Sequence, residues 1–132
     1  MNPGHRFPHD DRGSAVVDFV LIMVLLVPLV LGILQVGLVL HVRNTMTAAA
    51  SEGARYAAAV DAGPADGVAR ARQLIRESIA DRYAHGVTAA EVVMDGQRQT
   101  VVSARASVPA LGLGGPGFTV AVKGHAVKET AE

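Results

Sequence analysis

From Phe19 to Leu40 the chain carries no charged side chain, and no other feature narrows its possible folds as much. As an α-helix these roughly 22 residues rise about 33 Å, against a bilayer hydrocarbon core of ~30 Å. Gln35 is the only polar side chain in the run and Pro28 its only strong helix breaker. A helix that is apolar on every side needs apolar surroundings on every side. A chain of 132 residues is too short to enclose one in a soluble core. The run therefore predicts a membrane helix with flanks that face water.

The flanks are unequal. Eighteen residues precede the run, and residues 41–132 can form one small domain. Lys plus Arg and Asp plus Glu both number 12, so net charge offers no attraction for nucleic acid or acidic lipid. The absence of cysteine excludes disulfides, thiol chemistry and cysteine-ligated metal. A small domain of this kind is held by its own core, by its anchoring helix or by neighbouring subunits. Arg6 and Arg12 before the run are nearly balanced by Arg43 and Arg55 after it. The terminal amine and the short N-terminal tail favour an N-terminus in the cytoplasm and a C-terminal domain outside.

Residues 1–13, rich in Pro, His, Asp and Arg, read as a disordered leader or tail. Helical pattern begins at Ser14 and continues through the Ala-rich stretch 44–60, giving one helix over residues 14–60, about 70 Å long. Gly53 weakens it slightly. Asp61-Ala-Gly-Pro-Ala-Asp-Gly67 is a loop by composition. Asp66 then suggests an N-cap for a second helix from Gly67 to Ala84, with Val68, Ala71, Ile75, Ile79 and Tyr83 on its apolar face and His85-Gly86 at its end. Strands follow at 91–94, 100–108 and 118–128, the first two joined by the turn dipeptide Asp95-Gly96. Val102, Ala104, Ala106 and Val108 share one face, as do Phe118, Val120 and Val122. A sheet with one apolar face needs a cover, which the two helices can supply. The predicted class is a membrane-anchored α+β protein: one long N-terminal helix, a second amphipathic helix and about three antiparallel strands over residues 61–132.

The stretch Gly13-Ser-Ala-Val-Val-Asp-Phe19 at the start of the apolar run resembles the precursors of type IV pilin-like proteins. A wider set of residues is similar to the TadE-like family of tight-adherence pilus assembly. It includes Arg12 to Phe19, Pro28, Gly32 to Gly37, Val42 to Thr45 and Ala49-Ala-Ser-Glu-Gly-Ala-Arg-Tyr-Ala57. Glu52, Gly53, Arg55 and Tyr56 lie in the most specific part of this pattern. The resemblance implies a pilin-like fold and a peptidase cut between Gly13 and Ser14, with Asp18 as the acidic position five residues on and Phe19 as the aromatic that follows it. Relatives usually carry Glu where Asp18 stands. The implied partners are the membrane, a prepilin peptidase, a platform protein, a secretion ATPase, the major pilin and sister TadE-like subunits. No nucleic acid, small-molecule substrate or cofactor is implied, and no enzymatic activity.

Several residues admit two readings. A carboxylate at the edge of hydrocarbon is costly unless paired. After a cut at Gly13, Asp18 would meet the new amine of Ser14, on its own helix or a neighbour's, and so set subunit register. Alternatively, it is a headgroup-level acid favoured by the helix dipole. Pro28 is a tolerated kink or a bend that aids packing. Gln35 hydrogen-bonds across helices or folds back on its own backbone. Ala50, Ala54 and Ala58 permit close approach of the sheet or of a sister subunit, and Glu52 with Arg55 reads as a surface pair worth ~0.3 kcal/mol.

The search for chemistry ends quickly. His5, His9, His41, His85 and His125 lack metal-ligand spacing, and no serine sits in a nucleophile elbow. Residues 112–117 form a Gly-rich hairpin loop, with no Lys-Ser/Thr after it to bind phosphate. One alternative of another class is a secreted binding domain released by signal peptidase after Ala50, at the small-residue site Ala48-Ala-Ala50.

Overall fold

A computed structural model describes residues 11–111 and 116–129, with side chains from Gly13 onward. The expected disorder of residues 1–13 falls for residues 1–10 outside the described residues, and residues 11–13 are instead the first residues of a helix. The middle of the Gly-rich loop, residues 112–115, also lies outside the described residues. Helix α1 runs from Asp11 to Ala58 without interruption at Pro28, and α2 from Pro64 to Ser78. A short 3-10 turn, Asp81–Tyr83, leads into β1 (Val87–Met94), β2 (Gln97–Val108) and β3 (Phe118–Val127). The strands form an antiparallel sheet in the order β1-β2-β3. The α+β architecture read from the sequence is the one observed.

Helix α1 has two characters in one rod. From Val16 to Leu34 nearly every large apolar side chain is exposed. Past His41 a buried stripe begins: Val42, Met46, Ala49, Ala50, Ala54 and Ala57 recur at steps of three and four, the spacing of one helix face. This stripe packs against β2, β3 and α2. Ile75 from α2, Tyr83, and Val87, Val102 and Val108 from the sheet complete the core. Full burial of a side chain such as Met46 or Ile75 contributes about 1.5–3 kcal/mol. The stripe Ala50, Ala54 and Ala58 thus serves the molecule's own domain.

Several boundaries differ from expectation, among them α1 at 11–58 and β2 starting at Gln97, and three of the shifts have a plain physical reason. Helix α2 starts at Pro64, with Gly63 as N-cap. Asp66 lies at the third helical position, where its carboxylate accepts the Gly63 N–H at 2.9 Å, and Pro64 tolerates the first position because its missing N–H would be unpaired there anyway. The helix ends at Ser78, so Tyr83 reaches the core from the 3-10 turn. Strand β1 begins at Val87, ahead of Glu91, because Arg105 N–H donates to the Gly86 carbonyl and aligns the chain with β2. The hairpin at Asp95-Gly96 has both residues at positive φ, 52° and 76°, as a tight two-residue turn requires.

Glycines set the spacing between layers. A Cβ on Gly124 of β3 would collide with the α1 backbone at Ala50, so the sheet lies directly on the helix there. Strand β3 therefore runs beside α1 at backbone contact.

Candidate functional site

The residues singled out by sequence fall into two groups at opposite ends of α1. Gly13, Ser14, Asp18 and Phe19 lie in its first turns, exposed. The Gly13–Ser14 bond is thus helical, in a first turn whose N–H groups lack intrahelical partners, and glycine lowers the cost of unwinding it. Among the described residues no cation lies within ion-pairing distance of Asp18.

The second group marks the crossing of α1 and α2. A Cβ on Gly53 would lie 2.6 Å from the Gly67 carbonyl oxygen and 2.9 Å from the Ala71 Cβ. Only a residue without a side chain permits this approach. Glu52 and Arg55, one turn apart on the outer side, pair at 2.9 Å with Arg55 largely exposed, the weak surface pair expected. Tyr56 is half-exposed and, with Glu52, Asp66, Arg70 and Arg76, lines an open depression of about 500 Å³ between the helices. The Glu-Gly-Ala-Arg-Tyr motif is therefore a helix-crossing element: glycine and alanine face inward, charges and Tyr56 outward.

Two contacts close the domain onto α1, and neither was foreseen. Gln35 neither crosses to another helix nor folds back on its own backbone. Its Nε2 donates to the Pro109 carbonyl at 3.2 Å, and its Oε1 accepts the Leu111 N–H at 2.6 Å. At the other end, Lys128 Nζ donates to the carbonyls of Ala57 and Ala62, and Glu129 N–H donates to the Ala58 carbonyl. The Ala57 and Ala58 carbonyls are among those freed at the end of α1, where positive charge is favoured, and Ala62 lies in the loop just beyond. A basic residue just beyond the last strand was the available signal for the second contact.

The structure counts against release after Ala50. Ala50 is fully buried in the middle of α1, and a cut there would strip Val42, Met46, Ala49 and Ala50 from the core. The alternative is not favoured, because the segment it discards carries part of the domain's core.

These features define a class: an α+β domain built around the distal half of a helix whose proximal half is long and apolar enough to cross a membrane and is wholly exposed. A core helix of a soluble protein would be buried. Residues 13–55 match the family model described as TadE-like protein, which bears out the resemblance from the start of the apolar helix as far as Arg55 and leaves Tyr56 and residues 57–132 outside the match. No curated protein and no solved structure matches the chain. The matched family is one of structural components associated with tight-adherence pili, and for this chain the match supports that coarse association. Helix and family together fit membrane anchoring.

Proposed function

We propose that the protein is a pilin-like minor subunit of tight-adherence pilus assembly. In this reading the proximal half of α1 spans the membrane, its N-terminal end is cytoplasmic and residues 61–132 lie outside. A prepilin peptidase cuts between Gly13 and Ser14. The mature subunit then works with the platform protein, the major pilin and sister subunits of its own kind.

The observation that carries this reading is the continuity of α1. One unbroken helix is exposed and apolar over its first half and built into a domain core over its second. A subunit of that shape can slide along its neighbours, helix against helix, while its domain stays attached as a rigid head. Asp18 supports the reading further, because the amine freed at Ser14 lies four residues away, about one helical turn. That amine, or the equivalent on an adjacent subunit, is a suitable partner for a carboxylate at the edge of hydrocarbon.

The deciding experiment is mass spectrometry of the N-terminal peptide from membrane-purified protein. A mature chain beginning at Ser14 is expected. Recovery of intact peptides from Met1 to Arg12 in every functional preparation would reject processing.

A further inference from the structure

Gln35 ties the domain to the uncharged run of α1. Its two hydrogen bonds fasten the backbone of Pro109 and Leu111, in the β2–β3 connection, to the uncharged run itself, five residues before that run ends at Leu40. The fastening is part of a longer alignment. From Gln35 to Ala57 helix α1 rises about 33 Å, and the ten steps from Phe118 to Lys128 cover a similar ~33 Å as extended strand. Lys128 reaches the Ala57 carbonyl, so β3 lies alongside α1 from one end to the other. The Pro109, Leu111 and Phe118 end is therefore level with Gln35. The Val93–Arg98 end of the β1–β2 hairpin is level with the C-terminus of α1, because Lys128 N–H donates to the Arg98 carbonyl.

Irregular backbone is not tolerated against lipid tails, because its N–H and C=O groups find no partner there. The hydrocarbon can then extend no further along α1 than Gln35. Two described residues at this end carry large exposed apolar side chains all the same: Leu111 is 37% and Phe118 52% exposed, and on the helix Ile33 and Val36, close to Gln35 in sequence, are 65% and 59% exposed. Gln35 eases the conflict by binding the carbonyl of Pro109 and the amide of Leu111, so that these two backbone groups do not meet the lipid boundary bare. We infer that the outer hydrocarbon boundary lies at Gln35 rather than Leu40. We infer also that Pro109, Leu111 and Phe118 form a second membrane contact, seated in the headgroup region of the outer leaflet.

The shift matters at the other end of the helix. About 20 residues are needed to cross ~30 Å, and counting back from Gln35 puts the inner boundary near Ala15. Asp18 then lies within the hydrocarbon margin rather than beyond it, which sharpens its need for a partner.

The inference rests on α1 spanning a membrane, and its test separates the two. The chain has no tryptophan, so single-tryptophan variants of the full chain in phospholipid vesicles report depth by quenching with lipids brominated near the headgroup or near the chain end. Val27→Trp is expected to lose emission most with chain-end bromine, Phe118→Trp most with bromine near the headgroup, and Val93→Trp, at the far end of the sheet, with neither. Quenching of Val27→Trp with none of Phe118→Trp would overturn the second contact and leave the spanning helix standing. Emission of Phe118→Trp that instead shifts to the blue as protein density rises would assign this surface to a second copy and equally overturn it. Absence of quenching at Val27→Trp would remove the membrane helix and the inference together. Adding Gln35→Ala to Phe118→Trp should weaken the shallow quenching; full retention would overturn the role given to Gln35.

Discussion

Gly53 and Gly67 face each other across the α1–α2 crossing so closely that a Cβ on either would lie 2.6 Å from the other's carbonyl oxygen. Alanine at position 53 gains about 0.5–1 kcal/mol of helix propensity. It also pushes against backbone, which cannot rotate away as a side-chain tip can, and overpacking of this kind costs about 1–3 kcal/mol. Gly53→Ala should therefore lower the thermal midpoint of the detergent-solubilised full chain, followed by circular dichroism. Gly53→Val should lower it further, by adding volume at the same point. An unchanged or raised midpoint for Gly53→Ala would mean that the helices separate at little cost.

Lys128 joins the last strand to the end of the first helix, its ammonium donating to two carbonyls with only 19% of the side chain exposed. Hydrogen bonds from charged donors contribute about 1.5–3 kcal/mol each at most. Lys128→Met keeps the aliphatic stem and removes the donors, so a loss of about 1–2 kcal/mol is expected in chemical unfolding. Glu91 lies 3.8 Å from the same ammonium and is partly exposed, and Glu91→Gln should cost less than about 1 kcal/mol. Equal losses in the two variants would mean that the ion pair, and not the helix end, is what Lys128 serves.

Asp18 distinguishes assembly from simple insertion. Asp18→Asn should leave the helix in the membrane, because removing a charge near hydrocarbon eases insertion. The same change should reduce filament yield, since the amide offers the Ser14 amine no opposite charge, while Asp18→Glu should preserve or raise it. The measurement is filament yield at matched membrane levels of each variant. A dipole contribution alone is worth about 0.3–1 kcal/mol and would leave Asp18→Asn nearly silent, so wild-type yield from that variant would reduce Asp18 to a helix-start residue.

Orientation is open to direct test. Protease added to intact spheroplasts should digest residues 61–132 and spare an N-terminal tag. Protection of the domain with loss of the tag would invert the assignment.

Local pattern made most of the fold legible in the sequence, and long-range partners account for the rest. The apolar run, the alternation along β2 and the Asp95-Gly96 hairpin each state their structure within a few neighbouring residues. Gly53 was readable only as a weak point in a helix, because its reason, Gly67, comes from another helix. Gln35 looked like a lone amide among lipids. Its partners, Pro109 and Leu111, lie 74 and 76 positions away in sequence, and no periodicity reports such a distance. Asp66 marks the helix start in the sequence, but the cap lies three residues earlier, because Gly63 caps the helix, Pro64 opens its first turn and Asp66 takes the third helical position.

The side-by-side course of β3 and α1 has a mechanical consequence. A pull on the membrane end of α1 is directed along the strands, so the load reaches the sheet in shear, spread over the ~33 Å from Gln35 to Ala57. The contacts at Gly124 and Ala50, the fastening at Gln35 and the Lys128 clasp at the helix end then carry force together rather than one after another. A force applied across the helix would instead open the domain from one end, like a zip. The molecule is strong in the direction in which a helix is drawn out of a membrane and weak across it.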